Sequence, residues 1–470
     1  MQTKQELDMA LTAKEVAPDS LEEPSRRVSV RHVVEVLVVG GGSAGIAAAT
    51  TAARLGRKVL MVERNGFLGG TITMVTLGSI CGMYTVDGEQ VTPVVGGFAQ
   101  ELIDRLQQMG GPSEPMRWLK TASMPYDPSA MKIACDEVVT EAGVQLAFHC
   151  TAVAVHMQDN RVRGVIFEGR DGRWACLADV VIDCTGDADI AALAGVPFEH
   201  DPAVIQAPTT MFRFGGVDVQ RATGISRDEL RSYLEKAVAS GLNLPRTAGG
   251  AFSTQPNSMH MNITRVVKDD RAPDPLNTAE LTEAELEGRR QLKMYLQAFR
   301  NFVPGYENCY IADIGAFIGV RESRRIQGRY SLSLQDVLGQ ARFDDAVACS
   351  AWPVEEHGAG RATKWVFLEP GAYYQLPYRM MLPTGASGLL VAGRCSSASH
   401  DAHASMRVAA VCMALGEAAG TAAAIACNSC VALDAIDTAL LQKQLLKQGA
   451  ILSPVAGTRA AEQLQTEGAS

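Results

Sequence analysis

Short apolar runs separated by turn residues give the first indication of structure. Residues 34–39 form a β-branched run that ends in a glycine cluster, and residues 46–55 have the small, apolar composition of a buried helix. A second apolar run follows at residues 58–62. Runs of this length bounded by turns are typical of buried parallel strands, so the pattern predicts a β-α-β unit of about 30 residues.

A different pattern occupies residues 144–183. Three β-rich runs are separated by Asp-Asn at 159–160 and Asp-Gly at 171–172, and both dipeptides favour two-residue hairpins. This stretch predicts an antiparallel meander that interrupts the parallel sheet. Its last run, residues 180–184, predicts a buried strand that ends in a turn.

The amino-acid composition changes after residue 200, where Pro, Arg, Tyr and Trp become more frequent. An acidic helix is predicted at residues 282–300, a second glycine-bearing strand at 388–392, and an Ala/Gly-rich helix at 405–427. The predicted units are a flexible tail (1–32), the first part of a cofactor domain with its meander (33–200), a substrate or cap domain (201–384), the returning strand and helix (385–430), and a C-terminal helical segment and tail (431–470).

These elements predict an α/β fold. Its core is a doubly wound, Rossmann-like sheet of the kind that binds FAD or NAD(P). A β-meander is inserted into this sheet, and a second, α+β domain faces the substrate.

Composition and net charge limit the classes of function that this chain can have. A formal charge of −9 argues against a broad nucleic-acid footprint. No signal-like start and no uninterrupted run of about 18 apolar residues is found, which predicts a cytoplasmic protein without a membrane partner. The 11 cysteines form no disulfide framework, and the single C-x-x-C, at 427–430, is interpreted as idle thiols rather than a redox or metal site.

The glycine cluster carries the strongest chemical signal. Gly40, Gly42 and Gly45 have the spacing that gives a tight turn, close backbone approach to a pyrophosphate and close helix–strand packing. Glu63 lies 18 residues after Gly45, at the end of the second strand, where a carboxylate can accept both ribose hydroxyls. Arg64 beside it is a candidate to stack on adenine, or else a solvated residue. The fingerprint predicts a dinucleotide but does not separate FAD from NAD.

The chain is predicted to return to the first domain near residue 390, and this favours FAD over NAD because a long bound cofactor needs a second binding segment. The strand near residue 390 leads into Gly393 and Arg394, and then into the helix predicted from Ser405. We expect the amino end of that helix, at Ser405 and Met406, to direct N–H dipoles at the pyrimidine edge of the flavin.

Several segments together resemble FAD-dependent oxidoreductases related to glutathione reductase and to the flavin subunit of fumarate reductase, over most of residues 34–450. They are the runs at residues 38–45, Glu63 with 67–71, 182–187, 319–325, and 390–394 through 400–403. The resemblance implies that Ser43 and Ala44 belong to the phosphate turn and that Gly70 and Thr71 lie along the pyrophosphate and ribityl chain. It also implies that Val153 meets adenine through its backbone and that Thr185 and Gly186 close over the nucleotide.

One departure from this resemblance concerns disulfide chemistry. Related disulfide reductases place two cysteines just after the glycine pair, whereas this chain has Ile72 and Leu77 there. Cys81 stands alone, which argues against dithiol–disulfide exchange.

The candidates for catalysis are His400, His403 and Arg407, predicted where a loop enters the flavin-facing helix. Histidine titrates near neutrality and suits proton transfer, although either ring could instead cap or pack the loop. The spacing of the two histidines is compatible with a metal, but no further ligand cluster accompanies it, so no metal is predicted.

A second cluster contains Arg321, Glu322, Arg324 and Arg325. On a helix, Arg321 would share a face with Arg324 or Arg325 and could bind an anionic substrate, a structural carboxylate or the FAD phosphates. The aromatic and basic residues Tyr373, Tyr374, Tyr378 and Arg379 are candidates for the pocket wall or for the core.

The favoured function is hydride transfer between FAD and a small organic substrate, with an electron donor or acceptor that the sequence does not identify. The alternatives are a flavin monooxygenase and, less favoured because of the acidic balance, an FAD-containing RNA-modifying or RNA-binding protein. A homo-oligomer is compatible with the sequence.

Overall fold

The structure is a computed structural model that describes residues 23–360 and 362–454. Most of the predicted N-terminal tail, residues 1–22, and the end of the C-terminal tail lie outside the described residues. The strands are β1 (Ser29–Val39), β2 (Val59–Val62), β3 (Ser79–Cys81), β4 (Tyr84–Asp87), β5 (Gln90–Pro93), β6 (Met116–Trp118), β7 (Thr121–Pro125), β8 (Gln145–Ala147), β9 (Thr151–Gln158), β10 (Arg161–Gly169), β11 (Gly172–Asp183), β12 (Phe198–Glu199), β13 (Phe212–Gly215), β14 (Gly250–Phe252), β15 (Ser258–Asn262), β16 (Tyr310–Ile314), β17 (Arg325–Ile326), β18 (Ala346–Ser350), β19 (Val354–Glu356), β20 (Lys364–Val366), β21 (Tyr374–Pro377) and β22 (Leu389–Val391). The helices are α1 (Ser43–Arg54), α2 (Phe98–Gln108), α3 (Pro128–Glu141), α4 (Asp189–Leu193), α5 (Val219–Thr223), α6 (Arg227–Ala239), α7 (Thr278–Phe302), α8 (Leu334–Leu338), α9 (His400–Met406), α10 (Ala409–Ser429) and α11 (Thr438–Lys447).

The main sheet has seven strands, which confirms the predicted α/β class. Its order is β8-β2-β1-β11-β10-β9, and β22 also pairs with β11. The strands β8, β2, β1, β11 and β22 pair in parallel, whereas β10 pairs with β9 and β11 in antiparallel fashion. β1 begins at Ser29, four residues before the predicted boundary of the tail.

The meander joins the parallel sheet through one long strand. The first half of β11 pairs with β10, and its last three residues pair with β22. The first hairpin centre has the expected geometry, since Asp159 and Asn160 have positive φ angles of 46° and 63°. The second is shifted by one residue from the prediction, because Gly169 pairs with Gly172 and the loop is therefore residues 170–171. The parallel strands β1, β2, β11 and β22 therefore end at one edge, which is where open α/β sheets bind ligands.

Small residues allow two helices to pack closely under this sheet. α10 contacts α1 through Gly416 and Gly420, at which a Cβ would overlap the carbonyl oxygens of Ala44 and Ala48. α10 is also the one described helix that is long and apolar enough to cross a membrane, although Glu417 interrupts its apolar run. Because 83% of its apolar window is buried inside the protein, we interpret it as a core helix.

A four-stranded antiparallel sheet lies within residues 201–384. Its order is β14-β15-β13-β16, and it packs with α6 and α7 around an apolar core that includes Phe214 and Phe299. α7 begins at an Asn277 cap and is longer than predicted.

Two local predictions were wrong. The helix predicted at residues 405–427 is interrupted, because α9 ends at Met406 and α10 begins only at Ala409. The segment of Arg321 and Arg324 is not helical, since residues 320–324 have no regular structure and lead into the short strand β17. The side chains at 321 and 324 therefore do not share a helix face.

Candidate functional site

The glycine turn between β1 and α1 has the geometry that a dinucleotide requires. Gly40 has a φ of 97°, and a Cβ there would lie 2.5 Å from the carbonyl oxygen of Cys184, the residue after β11. A Cβ at Gly45 would overlap the carbonyl oxygen of Gly40, so this glycine lets the helix meet the strand. At Gly42 the nearest atom to a Cβ would be 3.9 Å away, which leaves the backbone open to a ligand.

The amino end of α1 is free to receive an anion. Its N-cap residue, Gly42, offers no side-chain cap, and no acidic residue lies in the first turn. The buried hydroxyl of Ser43 has no hydrogen-bond partner among the described residues. Unpaired N–H groups at a helix start and an orphaned hydroxyl together fit a pyrophosphate.

Glu63 directly follows β2 and is buried, at 6% exposure, at the edge of the same turn. One carboxylate oxygen accepts a hydrogen bond from the Gly41 N–H at 2.7 Å. The other accepts from the backbone and side-chain N–H groups of Asn65 at 2.8 and 2.6 Å. Glu63 therefore shapes the turn itself, and it also lines the cavity beside the turn.

The Gly69-Gly70 pair brings a second backbone segment against the turn. Gly69 bridges to Gly42, and a Cβ at Gly70 would lie 2.8 Å from the Gly42 Cα. Only glycine fits such a close approach with a positive φ, here 55°. Thr71 follows and is exposed to the cavity.

Charged side chains form a hydrogen-bonded network just after the end of β11. Asp187 accepts hydrogen bonds from Ser323 at 2.6 Å and from Arg394 at 2.8 Å, and Arg64 lies 3.9 Å away. Burial alone would raise the pKa of Asp187, but the Arg394 charge and the Ser323 hydrogen bond outweigh it and lower the pKa. Asp187 is thus ionised and fixes Arg394 beside Gly186.

One cavity of about 320 Å³ connects these features with the second domain. Of the site residues predicted from the sequence, it is lined by Gly40, Gly42, Ser43, Ala44, Glu63, Arg64, Gly70, Thr71, Thr185, Gly186, Arg321, Gly393, Arg394 and Arg407. Those that do not line it are Gly45, Val153, His400, His403, Ser405 and Met406.

The two histidines are held by the protein away from this cavity. The Nδ1 of His400 lies 2.9 Å from a Glu322 oxygen, and this hydrogen bond raises the pKa of His400. The Nε2 of His403 donates to the carbonyl of Arg394 at 2.8 Å, and burial lowers the pKa of His403 to about 3. Glu322 also pairs with Arg325. These placements support a structural role for both rings.

The start of α10 replaces the helix start predicted at Ser405. The Ser405 hydroxyl donates to the Trp352 carbonyl and pairs with the Tyr374 hydroxyl, and the Met406 side chain is fully buried. After the break at Arg407, Val408 and Ala409 line the cavity instead. The helix start that lines the cavity is therefore the first turn of α10 and not Ser405.

The remaining candidates lie outside the cavity. Val153 is half-buried on β9, and Tyr374 and Tyr378 are core residues. Arg379 pairs with Asp345, and the Arg342 guanidinium stacks on Tyr373.

Sequence reasoning missed a chain of three polar side chains around β19. The Nη2 of Arg265 lies 3.2 Å from Nδ1 of His357, and since a guanidinium only donates, this nitrogen is an acceptor. The His357 proton is therefore on Nε2, which donates to Glu355 at 2.9 Å. The other Glu355 oxygen accepts from the Trp352 indole at 3.1 Å. His357 and Glu355 are two residues apart, and this spacing on a strand could have indicated a shared face.

His357 and Glu355 each have one fixed protonation state near neutral pH. Burial and the nearby Arg321 charge lower the pKa of His357 well below its ordinary value, so the ring is neutral. Burial alone would raise the pKa of Glu355, but the His357 hydrogen bond and the Arg407 charge lower it to about 2. Glu355 is therefore a fixed carboxylate in the cavity wall.

The residues present fit FAD. The open amino end of α1, the orphaned Ser43 hydroxyl and the Glu63 carboxylate match its pyrophosphate and ribose. The same cavity continues past Gly393 and the start of α10. Among the residues that the structure describes, no group of three or more His, Cys, Asp or Glu side chains is arranged to hold a metal ion.

Comparison with known proteins identifies the family. A sequence model of the FAD dependent oxidoreductase family matches residues 35–445, which is most of the chain. The chain therefore belongs to this family, it is an enzyme, and FAD is its cofactor.

The individual relatives share either a low sequence identity or only a short matching segment with this chain. Cinnamate reductase from Clostridium sporogenes is 55% identical over 41 residues, which cover 9% of this chain and only 6% of that protein. A geranylgeranyl bacteriochlorophyll reductase-like protein from Thermoplasma acidophilum is 14% identical over 89% of this chain and 84% of its own, with a TM-score of 0.45. The anhydrotetracycline hydroxylase of Streptomyces rimosus is 12% identical over 83% and 62%, with a TM-score of 0.39. Likeness at this level carries no residue's role to this chain.

Proposed function

We propose that the protein transfers a hydride between FAD and a small organic molecule held on the cap side of the cavity. The observation that carries this proposal is the continuity of one cavity from the glycine turn at Gly42 to Trp118, Arg246 and Phe252. FAD, when bound, supplies the hydride acceptor or donor. The residues beyond the cofactor turn then bind and orient its reaction partner.

Aromatic side chains shield the cap side from water. Trp118 on β6 and Trp365 on β20 meet edge to face, with ring centroids 5.2 Å apart, and both line the cavity. Phe252 and Met211 add further apolar surface. Exclusion of water strengthens the electrostatic interactions inside a site and limits side reactions, which suits hydride transfer.

Each ionisable group in the wall keeps one protonation state near neutral pH. Burial raises the pKa of Cys81 to about 12, so it remains a thiol, whereas Glu355 remains a carboxylate and His357 a neutral ring. These residues orient the substrate rather than exchange protons with it. We therefore expect the rate of the reductive half-reaction to change little around neutral pH, whereas proton transfer by a histidine of ordinary pKa would impose a titration near pH 6.5.

An anaerobic substrate screen tests the proposal. Oxidised enzyme is mixed with small organic molecules, and loss of the flavin absorbance is followed; we expect at least one class to bleach the flavin without a nicotinamide cofactor. The variant Phe252→Ala should lower the apparent affinity for that substrate, whereas Phe317→Ala, an exposed aromatic position, should not. Bleaching by a nicotinamide cofactor alone, coupled to oxygen uptake and substrate hydroxylation, would instead establish a monooxygenase.

A further inference from the structure

Three arginines line the cap side of the cavity, and none of them forms an ion pair with a described residue. Arg246, Arg321 and Arg407 all line it, and no carboxylate oxygen of a described residue lies within ion-pair distance of any of them. Arg321 donates to the carbonyl of Ala207 at 2.6 Å, and Arg407 donates to the side-chain oxygen of Gln206 at 3.0 Å. Their charges are therefore hydrogen-bonded in part but not neutralised.

Arg246 is the most informative of the three. It is only 9% exposed, and its guanidinium makes no hydrogen bond with any described residue. Its backbone is fixed, because the Tyr295 hydroxyl on α7 accepts from its N–H at 3.1 Å and donates to its carbonyl at 2.9 Å. A buried charge without a partner destabilises a fold strongly, so this arrangement is expected where a ligand completes the pairing.

The one carboxylate in this wall does not balance these charges. Glu355 is already bound by His357 and Trp352, and a single negative charge faces three guanidinium groups. Arg265 adds a fourth positive charge behind the wall, where it donates to the carbonyl oxygens of Gly360 and Ala362. An excess of positive charge therefore remains in an otherwise apolar part of the cavity.

We propose that this part of the cavity binds an organic acid, with its carboxylate facing Arg246, Arg321 and Arg407 and its apolar body against Trp118 and Phe252. Guanidinium groups recognise carboxylates through charge-assisted, often bidentate, hydrogen bonds. This inference rests on the proposed function and names the class of its substrate. The FAD phosphates are the competing partner, but the open turn at Gly42 already provides for them.

Calorimetric titration of the FAD-loaded protein tests the inference without turnover. The probes are benzoate and hexanoate, each compared with its neutral amide. We expect each acid to bind at least tenfold more tightly than its amide. The variant Arg246→Met should remove most of this difference, and Arg321→Gln provides a second variant should the first not fold. Arg290→Met is the matched control, since this arginine lies on α7 with a side chain that is 65% exposed.

Thermal unfolding separates a binding role for Arg246 from a structural one. If its charge is held for a ligand, Arg246→Met should unfold at a higher temperature than the unliganded parent, because an unpaired buried charge is removed. Equal affinity for acids and amides in the parent, no detectable binding of either acid, or an unchanged ratio in both variants would overturn the inference. Loss of FAD from Arg246→Met would overturn it as well, by assigning this arginine to the cofactor.

The two proposals fail in different ways. Acid binding without bleaching by any substrate would contradict hydride transfer alone. Bleaching by neutral molecules, together with equal affinities for acid and amide, would contradict the acid site alone.

Discussion

The substitution Glu63→Gln tests how the end of β2 serves the cofactor. The carboxylate accepts from Gly41 on one oxygen and twice from Asn65 on the other. A glutamine has one oxygen, which the two Asn65 donors should hold, so its NH₂ group would face the Gly41 N–H. A hydrogen bond to a charged group contributes about 1.5–3 kcal/mol. We therefore expect the turn to lose about 2 kcal/mol of stability.

Binding of FAD should weaken by a comparable amount. Because the glutamine oxygen would be held by the two Asn65 donors, the ribose hydroxyls would lose their charged acceptor, and a loss of about 2 kcal/mol corresponds to a roughly thirtyfold higher Kd. The assay is titration of apoprotein with FAD, followed by quenching of flavin fluorescence.

The control for this experiment is Glu35→Gln. Glu35 accepts from the Lys58 N–H at 2.8 Å and from Arg57 at 2.6 Å, between the same two strands but outside the cavity. This variant should lose stability yet bind FAD with the parental Kd. If both variants bind FAD with the same affinity as the parent, the assignment of Glu63 to the ribose is refuted.

Three further predictions follow from buried contacts. Gly45→Ala should prevent recovery of folded, FAD-binding protein, because the added Cβ would overlap the Gly40 carbonyl oxygen. The control Gly224→Ala should be tolerated, because a Cβ there would have no contact under 3.5 Å. Soluble yield and bound flavin are measured for both variants. His400→Gln should keep turnover within about tenfold of the parent, against the hundredfold loss typical of a removed proton donor. The Glu322 hydrogen bond raises the pKa of His400 above its ordinary 6.5, so this pair stabilises the fold fully below pH 6.5 and loses that contribution as the pH rises through the raised value; melting curves of His400→Gln should lack that loss. Burial raises the pKa of Glu417 from its ordinary 4.5 to about 7, so between these two values the unfolded chain ionises while the folded protein keeps the proton, and stability falls as the pH rises. Glu417→Gln should lack this loss, so its stability relative to the parent should grow by roughly 2 kcal/mol from pH 5 to pH 7 and then level off; a margin independent of pH would contradict this.

Local signals predicted the cofactor half of the fold. The glycine turn, the strand that ends at Glu63 and both hairpins of the meander depend on a few adjacent residues, whose backbone requirements are visible in the sequence. The parallel pairing of β22 with β11 was indicated by a second short apolar run near residue 390. These elements meet at the sheet edge because parallel strands end together.

Features set by tertiary contacts were not predictable in the same way. The residues from 405 to 427 contain no proline to mark a break, yet the helix is interrupted at Arg407, whose side chain binds Gln206 from a distant segment. A helix containing Arg321 was predicted wrongly because local composition does not show that this irregular segment is held by the bond from Arg321 to the Ala207 carbonyl. The Arg265–His357–Glu355 chain joins residues about 90 positions apart, so no spacing along the sequence connects all three.

Identification of the released cofactor tests most directly whether the turn at Gly42 and the carboxylate of Glu63 hold the ADP half of FAD. We predict that purified protein is yellow and that denaturation releases FAD, one molecule per chain, as measured by chromatography. FMN as the only flavin, or no bound flavin after reconstitution of the apoprotein with FAD, would contradict the account.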